Sequence, residues 1–180
     1  RADRTMLGRE QEAWLSRQLA GSGAVWNVLA QQVLVGSLPL AGGEFPMDKW
    51  DGAPAARERL LDELKTRAVA NPVVLTGDNH NNWVFDLRRR NGDLVGTEFA
   101  GTSVTSNSDG AEISEEYRSA VGAPHIRWHN SQRGYVVCEI TPKLWTTHFR
   151  VTPVVTRPGG NVITKASFVV EAGRPGAARI

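Results

Sequence analysis

An α/β fold that becomes β-rich towards the C-terminus is predicted for this 180-residue chain by three observations. Its first half alternates two amphipathic helical patterns with two short apolar runs. Its second half is a series of extended runs rich in Val, Ile, Thr and aromatic residues, cut by Gly, Pro and Asn. Its composition, 41% apolar and 22% charged, is that of a chain with a packed core. At this length one ordinary domain buries roughly two thirds of the surface that the unfolded chain exposes. No internal repeat or linker divides the sequence, so residues 1–180 are expected to form a single domain or a fragment of one.

In order along the chain, Leu7, Trp14, Leu15 and Leu19 recur at helical spacing, with Arg9, Glu12 and Arg17 elsewhere on the cylinder. This predicts an amphipathic helix over Leu7–Leu19, ended by Gly21-Ser22-Gly23. Val25 to Ala30 is short, apolar and β-branched in two places, as a buried strand is. Gly36 to Pro46 is rich in Gly and Pro and reads as a loop that leads into Met47-Asp48-Lys49-Trp50-Asp51-Gly52. Pro54 suits the first turn of a second helix, whose stripe is Leu60, Leu61, Leu64 and Ala68 and whose surface carries a Glu63–Arg67 pair at i, i+4. Asn71-Pro72 stops it, and Val73 to Leu75 gives a second short buried strand. The order α, β, α, β points to a parallel sheet with covered faces.

Beyond that point Trp83 to Leu87 and Leu94 to Phe99 flank the turn signal Asn91-Gly92, which predicts a hairpin with a loop longer than two residues. Gly101 to Ala123 is small and polar, hence loop-like. Three further extended runs, Tyr135 to Thr141, Trp145 to Val151 and Val162 to Glu171, are separated by Pro142 and by Pro158-Gly159-Gly160-Asn161. Gly173 to Ile180 is expected to be a loose tail.

The charge balance, 21 Lys and Arg against 19 Asp and Glu, gives no contiguous basic strip, so nucleic acid is not an expected partner. The cluster Arg88-Arg89-Arg90 precedes Asn91-Gly92-Asp93 and suits a solvated hairpin tip. Cys138 is the single cysteine, which excludes an internal disulfide and any thiolate-rich zinc site. Within an alternating strand it reads as a buried small apolar group. No apolar run approaches the ~20 residues of a transmembrane helix. The chain begins at Arg1 without a leader, so a processed segment or a larger part of a longer protein is expected upstream.

The chemistry concentrates in VLTGDNHNNW, residues 74–83, where an apolar run turns into an acid, a histidine and several amides. Ligands of open α/β sheets gather beyond the carboxyl ends of strands. On a strand end, Asp78 and His80 at i and i+2 would face the same way, and Gly77 before them permits close backbone approach. Carboxylate with imidazole suits iron, manganese or zinc; carboxylate with amides suits calcium or magnesium. The spacing alone favours a capped turn, with Asp48, Asp51 and His129 as further groups that each have an ordinary structural reading. A Gly-x-Ser-x-Gly elbow, a Walker loop and a Gly-x-Gly-x-x-Gly fingerprint are all missing, although Thr102-Ser103 sits at a strand end.

Seven segments in order, MLGREQEAWLSRQL, AVWNVLAQQV, DKWDGAPAARERLL, VVLTGDNHNNWVFDL, VGTEFAGTSVTS, PHIRWHNSQRGYVVCEITP and ASFVVEAGRPG, resemble the PhoD-like alkaline phosphatases and cover nearly all of the chain. The resemblance implies the C-terminal half of a metallophosphoesterase-type α/β sandwich, akin to calcineurin-like and purple acid phosphatases, with a metal cluster at its strand ends. It implies hydrolysis of phosphate monoesters and diesters with divalent or trivalent ions, calcium and iron. It also implies export by the twin-arginine route to the cell envelope or beyond. The family's Gly-Asp-x-His element falls on Gly77 to His80, which makes Asp78 a metal ligand and His80 a ligand or phosphate contact. Its Asp-x-Trp-Asp-Gly element falls on Asp48 to Gly52, where either Asp48 or Asp51 supplies a further ligand, with Asp48 preferred. Asp51 and His129 are the expected substrate contacts.

Ala53 stands where the family usually has an aromatic residue, and Asn79 where it has an apolar or small one; both are expected to alter substrate fit. The family's upstream metal-binding loops are missing, so this chain alone is expected to bind metal poorly, with the N-terminal half as its partner. A non-catalytic remnant serving as a binding or structural module is the alternative. A hydrolase using Ser103 or Thr102 would be insensitive to chelators.

Overall fold

The structure, a computed structural model, describes residues 3–106 and 108–180. Helix α1, Arg9–Ala20, lies between Gly8 at φ 85 and Gly21. Leu19 is buried and Leu7 and Leu15 pack beside it, whereas Trp14 stands half out of the stripe expected to hold it. Helix α2, Pro54–Thr66, has Pro54 in its first turn and buries Ala56, Leu60, Leu61 and Leu64. Arg67 closes on Glu63 at 2.7 Å, one turn apart. The helix stops short of Ala68, which the apolar stripe was expected to include. Ala68 takes φ 50, and the amides of Ala68 and Val69 return to the carbonyls of Lys65 and Leu64 in a Schellman closure.

Five strands form the first sheet: β1 (Asn27–Ala30), β2 (Pro72–Thr76), β3 (Asn82–Arg88), β4 (Leu94–Ala100) and β5 (Ile126–Asn130), in the order β1-β2-β4-β3-β5. β1, β2 and β4 run parallel, while β3 and β5 run antiparallel to their neighbours, so the expected parallel sheet is mixed. β1 is an edge strand and Val28 is half exposed, which corrects the expectation of a buried strand. β5 is a strand that the sequence reading did not include. The hairpin tip between β3 and β4 lies where Asn91-Gly92 puts it, but its arginines are not simply solvated: Arg89 reaches Asp62 at 2.5 Å and Asp93 at 3.1 Å, and Arg88 reaches Asp86 at 2.9 Å.

The second sheet is antiparallel and sequential: β6 (Arg133–Ile140), β7 (Leu144–Thr152), β8 (Ile163–Glu171) and β9 (Arg174–Arg179). β9 overturns the expectation of a loose tail. Gly173 at φ 82 turns the chain back, β9 pairs with β8, and Ala177 is buried against the neighbouring sheet. Gly176 permits this approach, since a methyl group there would meet Leu94 at 2.9 Å.

Period-two alternation makes three layers from these parts. Val73, Val84 and Phe99 face the second sheet and meet Trp145, Phe149, Phe168 and Val170. Val74, Leu87 and Val95 face the helices. Trp83, Phe85 and Ala100 cover a third cluster with Leu34, Leu38, Tyr117 and Ile126. Cys138 is half-buried, 3.8 Å from the Thr147 hydroxyl, and burial raises its thiol pKa, consistent with a packing role.

Candidate functional site

The carboxyl ends of β1, β2 and β4 open at one edge of the sheet, because these strands are parallel. The segments that leave them are residues 31–53, 77–81 and 101–125. Backbone bonds hold the three together at their roots: Gln31 N to Leu75 O at 2.9 Å, Gly77 N to Gln32 O at 3.4 Å and Gly101 N to Thr76 O at 2.9 Å. This is where a parallel sheet collects ligand-binding groups.

From the first loop, Asp48 and Lys49 reach the second. The Lys49 ammonium stands 3.3 Å from Asp48 and 3.4 Å from Asp78, so both carboxylates converge on one cationic centre. The lysine side chain is 7% exposed, while the carboxylates are 73% and 50% exposed. The loop turns back tightly to do this: a methyl group at Gly52 would lie 2.0 Å from the Met47 carbonyl oxygen.

Asp78 and His80 reach the site by turns rather than by strand alternation. β2 ends at Thr76, and Asp78 and His80 adopt φ 63 and φ 55, left-handed conformations that persist in non-glycine residues only where surrounding bonds enforce them. Around His80 those bonds are explicit. Its carbonyl accepts from the Thr102 hydroxyl at 2.9 Å and from Arg133 Nη1 at 2.7 Å, and its Nδ1 pairs with the Ser106 hydroxyl at 3.1 Å. Both Asp78 and His80 are exposed to solvent.

Asn79, between them, points the other way. Its amide oxygen accepts from the Trp83 indole at 2.6 Å and its amide nitrogen donates to the Tyr117 hydroxyl at 3.1 Å. Its side chain therefore anchors the turn to the core. Ala53 likewise is buried, at the start of α2.

Asp51 and His129, the expected substrate contacts, both have buried side chains and are engaged within the fold. Asp51 accepts from the Ser37 hydroxyl and the Leu38 amide, each at 2.8 Å, and from Arg57 at 2.9 Å, with 5% of its side chain exposed. His129 is buried on β5, its ring centroid 3.9 Å from that of Trp83. Its Nε2 accepts from the Ser114 amide at 3.2 Å. Burial, opposed in part by a hydrogen bond with the Asn82 backbone, lowers the pKa of His129 to about 4, so it is a neutral packing group.

Glu98, Arg133 and Lys49 were not singled out by the sequence. Glu98 is fully buried on β4, and its carboxylate accepts from the Val35 and Gly36 amides and the Thr76 hydroxyl, tying the first loop to the end of β2. Burial pushes its carboxyl up to about 7, against the lowering effect of those three bonds and of Arg57. A single acid within the run VGTEFA was the available signal.

Two oxygen-donor groups centred on a cation suit a hard metal ion. Among the described residues no group of three His, Cys, Asp or Glu side chains stands close enough to hold one. The residues thus fit as part of a donor set.

The pattern of the PhoD-like phosphatase family matches residues 1–149. The chain belongs to that family. Alkaline phosphatase D of Bacillus subtilis (strain 168) is 41% identical over 186 residues, covering 99% of this chain and 32% of the relative. A solved structure of PhoD superposes with a TM-score of 0.91 at 40% identity, covering 99% of this chain and 36% of the other. The chain therefore spans about a third of the length of these PhoD-like relatives, less than the half that the resemblance implied.

Proposed function

We propose that this chain is one portion of a phosphoric ester hydrolase, an exported PhoD-like phosphatase acting on phosphate monoesters and diesters. The convergence of Asp48 and Asp78 on one cationic centre carries the reading, since it comes from separate loops at the carboxyl ends of parallel strands. The family match favours it over a non-catalytic remnant.

Asp48 and Asp78 would hold a metal ion through their carboxylates, with His80 as a further ligand or phosphate contact. Oxygen donors suit calcium and the imidazole suits iron. When bound, such an ion lowers the pKa of a coordinated water and offsets charge on the phosphoryl oxygens. The chain's own contribution is positional. Thr102 and Arg133 fix the His80 backbone, Ser106 fixes its ring, and Asn79 locks the turn that aims Asp78 outward. The remaining donors are assigned to the upstream part of the protein, so residues 1–180 form one unit of a larger catalytic assembly.

Hydrolysis of bis-nitrophenyl phosphate tests this. The complete protein is expected to lose activity on Asp78→Ala with its fold retained, and the 180-residue chain alone is expected to turn over poorly. Full activity in the Asp78→Ala protein would sink the reading. Chelator-insensitive turnover would point instead to Ser103 or Thr102.

A further inference from the structure

A lysine ammonium that is almost wholly buried between two exposed carboxylates raises a question the phosphatase reading leaves open. Lys49 is 6% exposed, yet its only ionic partners among the described residues are Asp48 and Asp78. These are the same oxygens that the metal would need. We propose that Lys49 is an internal cation that competes with a metal ion for the Asp48 and Asp78 carboxylates, and so sets how tightly this part of the site takes up a divalent ion. The inference rests on the proposed roles of those two aspartates.

Two physical routes give the same sign. If the ammonium leaves, its contacts with Asp48 at 3.3 Å and Asp78 at 3.4 Å must be broken before the ion can bind. If it stays, it repels the incoming charge. Even with the dielectric of bulk water, a unit charge ~5 Å from a divalent ion weakens binding by about tenfold. The lysine is held in place by its surroundings: Trp50 beside it is buried, the Trp50 amide donates to the Leu34 carbonyl at 3.2 Å, and the Gly52 amide donates to the Lys49 carbonyl at 2.9 Å. A surface lysine would swing into water at little cost; this one has its stem packed, so its charge stays near the carboxylates.

Calorimetric titration of manganese(II) into the chain, with no substrate present, reads this directly. Lys49→Met is expected to bind manganese(II) about tenfold more tightly than the unaltered chain, on the arithmetic above. Lys49→Arg, which keeps the charge, is expected to match the unaltered chain, and adding Asp78→Asn to Lys49→Met is expected to abolish the gain. Equal, weaker or undetectable binding by Lys49→Met overturns the proposal, as does a gain that survives Asp78→Asn. Lys49→Gln replaces the methionine variant if circular dichroism shows that it is unfolded. The phosphatase reading fails separately, by activity in Asp78→Ala, whatever the calorimetry gives.

Discussion

The guanidinium of Arg133, buried at the start of β6, donates at 2.7 Å to the carbonyl oxygen of His80, a residue held at φ 55. The same nitrogen, Nη1, also donates to the Ser131 carbonyl at 3.2 Å and Nε donates to the Ser108 carbonyl at 2.8 Å, and no carboxylate pairs with the guanidinium among the described residues. One side chain of the second sheet thereby straps the Asp78–His80 turn of the first. Arg133→Met leaves these carbonyls short of a donor and releases a strained turn. It is expected to destabilise the chain by about 3 kcal/mol in urea unfolding. Arg133→Lys, with one ammonium in place of a fork, is expected to recover part of the loss.

Asp51 offers a clean separation of scaffold from substrate contact. Breaking its buried pair with Arg57 by Asp51→Asn is expected to cost about 3 kcal/mol of stability. Michaelis constants of the complete protein are expected to stay near those of the unaltered enzyme at a temperature where both are folded. A raised KM with unchanged stability would return Asp51 to the substrate surface.

Glu98 makes stability depend on pH with a definite sign. Its folded pKa, about 7, lies above its ordinary value of 4.5, so the folded state holds more protons between those values. The contribution of the protonated acid is fully present below about pH 4.5 and is lost as pH rises through 7. The loss amounts to about 3 kcal/mol. Glu98→Gln imitates the protonated acid, so the unfolding free energies of the chain and of the variant are expected to lie close at pH 5 and to separate towards pH 8, the chain falling below the variant. A constant difference would show that Glu98 does not titrate in this window.

Strand β9 is expected to matter although it ends the chain. Removing residues 174–180 uncovers β8 and the buried face around Ala177, and is expected to cost at least about 2 kcal/mol of stability. Unchanged unfolding after the truncation would mean that the strand contributes little to the core.

The helices, the β3–β4 hairpin and most strands of the second sheet were legible because period, turn residues and Pro placement agree locally. β5 and β9 were not. Ile126 to Asn130 owes its strand to pairing with β3, and its polar residues are satisfied across the sheet, as Asn130 is with Asn82. Arg174 to Arg179 contains Pro175 and Gly176, which argue locally against a strand, and pairing with β8 overrides them. At the site, Asp48, Asp78 and His80 stood out through residue type and motif. Asp51 and His129 stood out for the same reason, yet only three-dimensional placement shows that they face inward. Lys49 and Arg133 carried no local signal, since a lysine or arginine in a polar loop reads as solvated until its neighbours are known.

Gly52 makes the site vulnerable from a position that does no chemistry. Any side chain there would have to displace the Met47 backbone, and Asp48 would move with its neighbour. The aspartates, the histidine and the lysine could all be intact and the site still be lost. In a mutational survey, position 52 would score as intolerant as the proposed ligands Asp48 and Asp78, and a search for damaging variants confined to charged residues would pass over it.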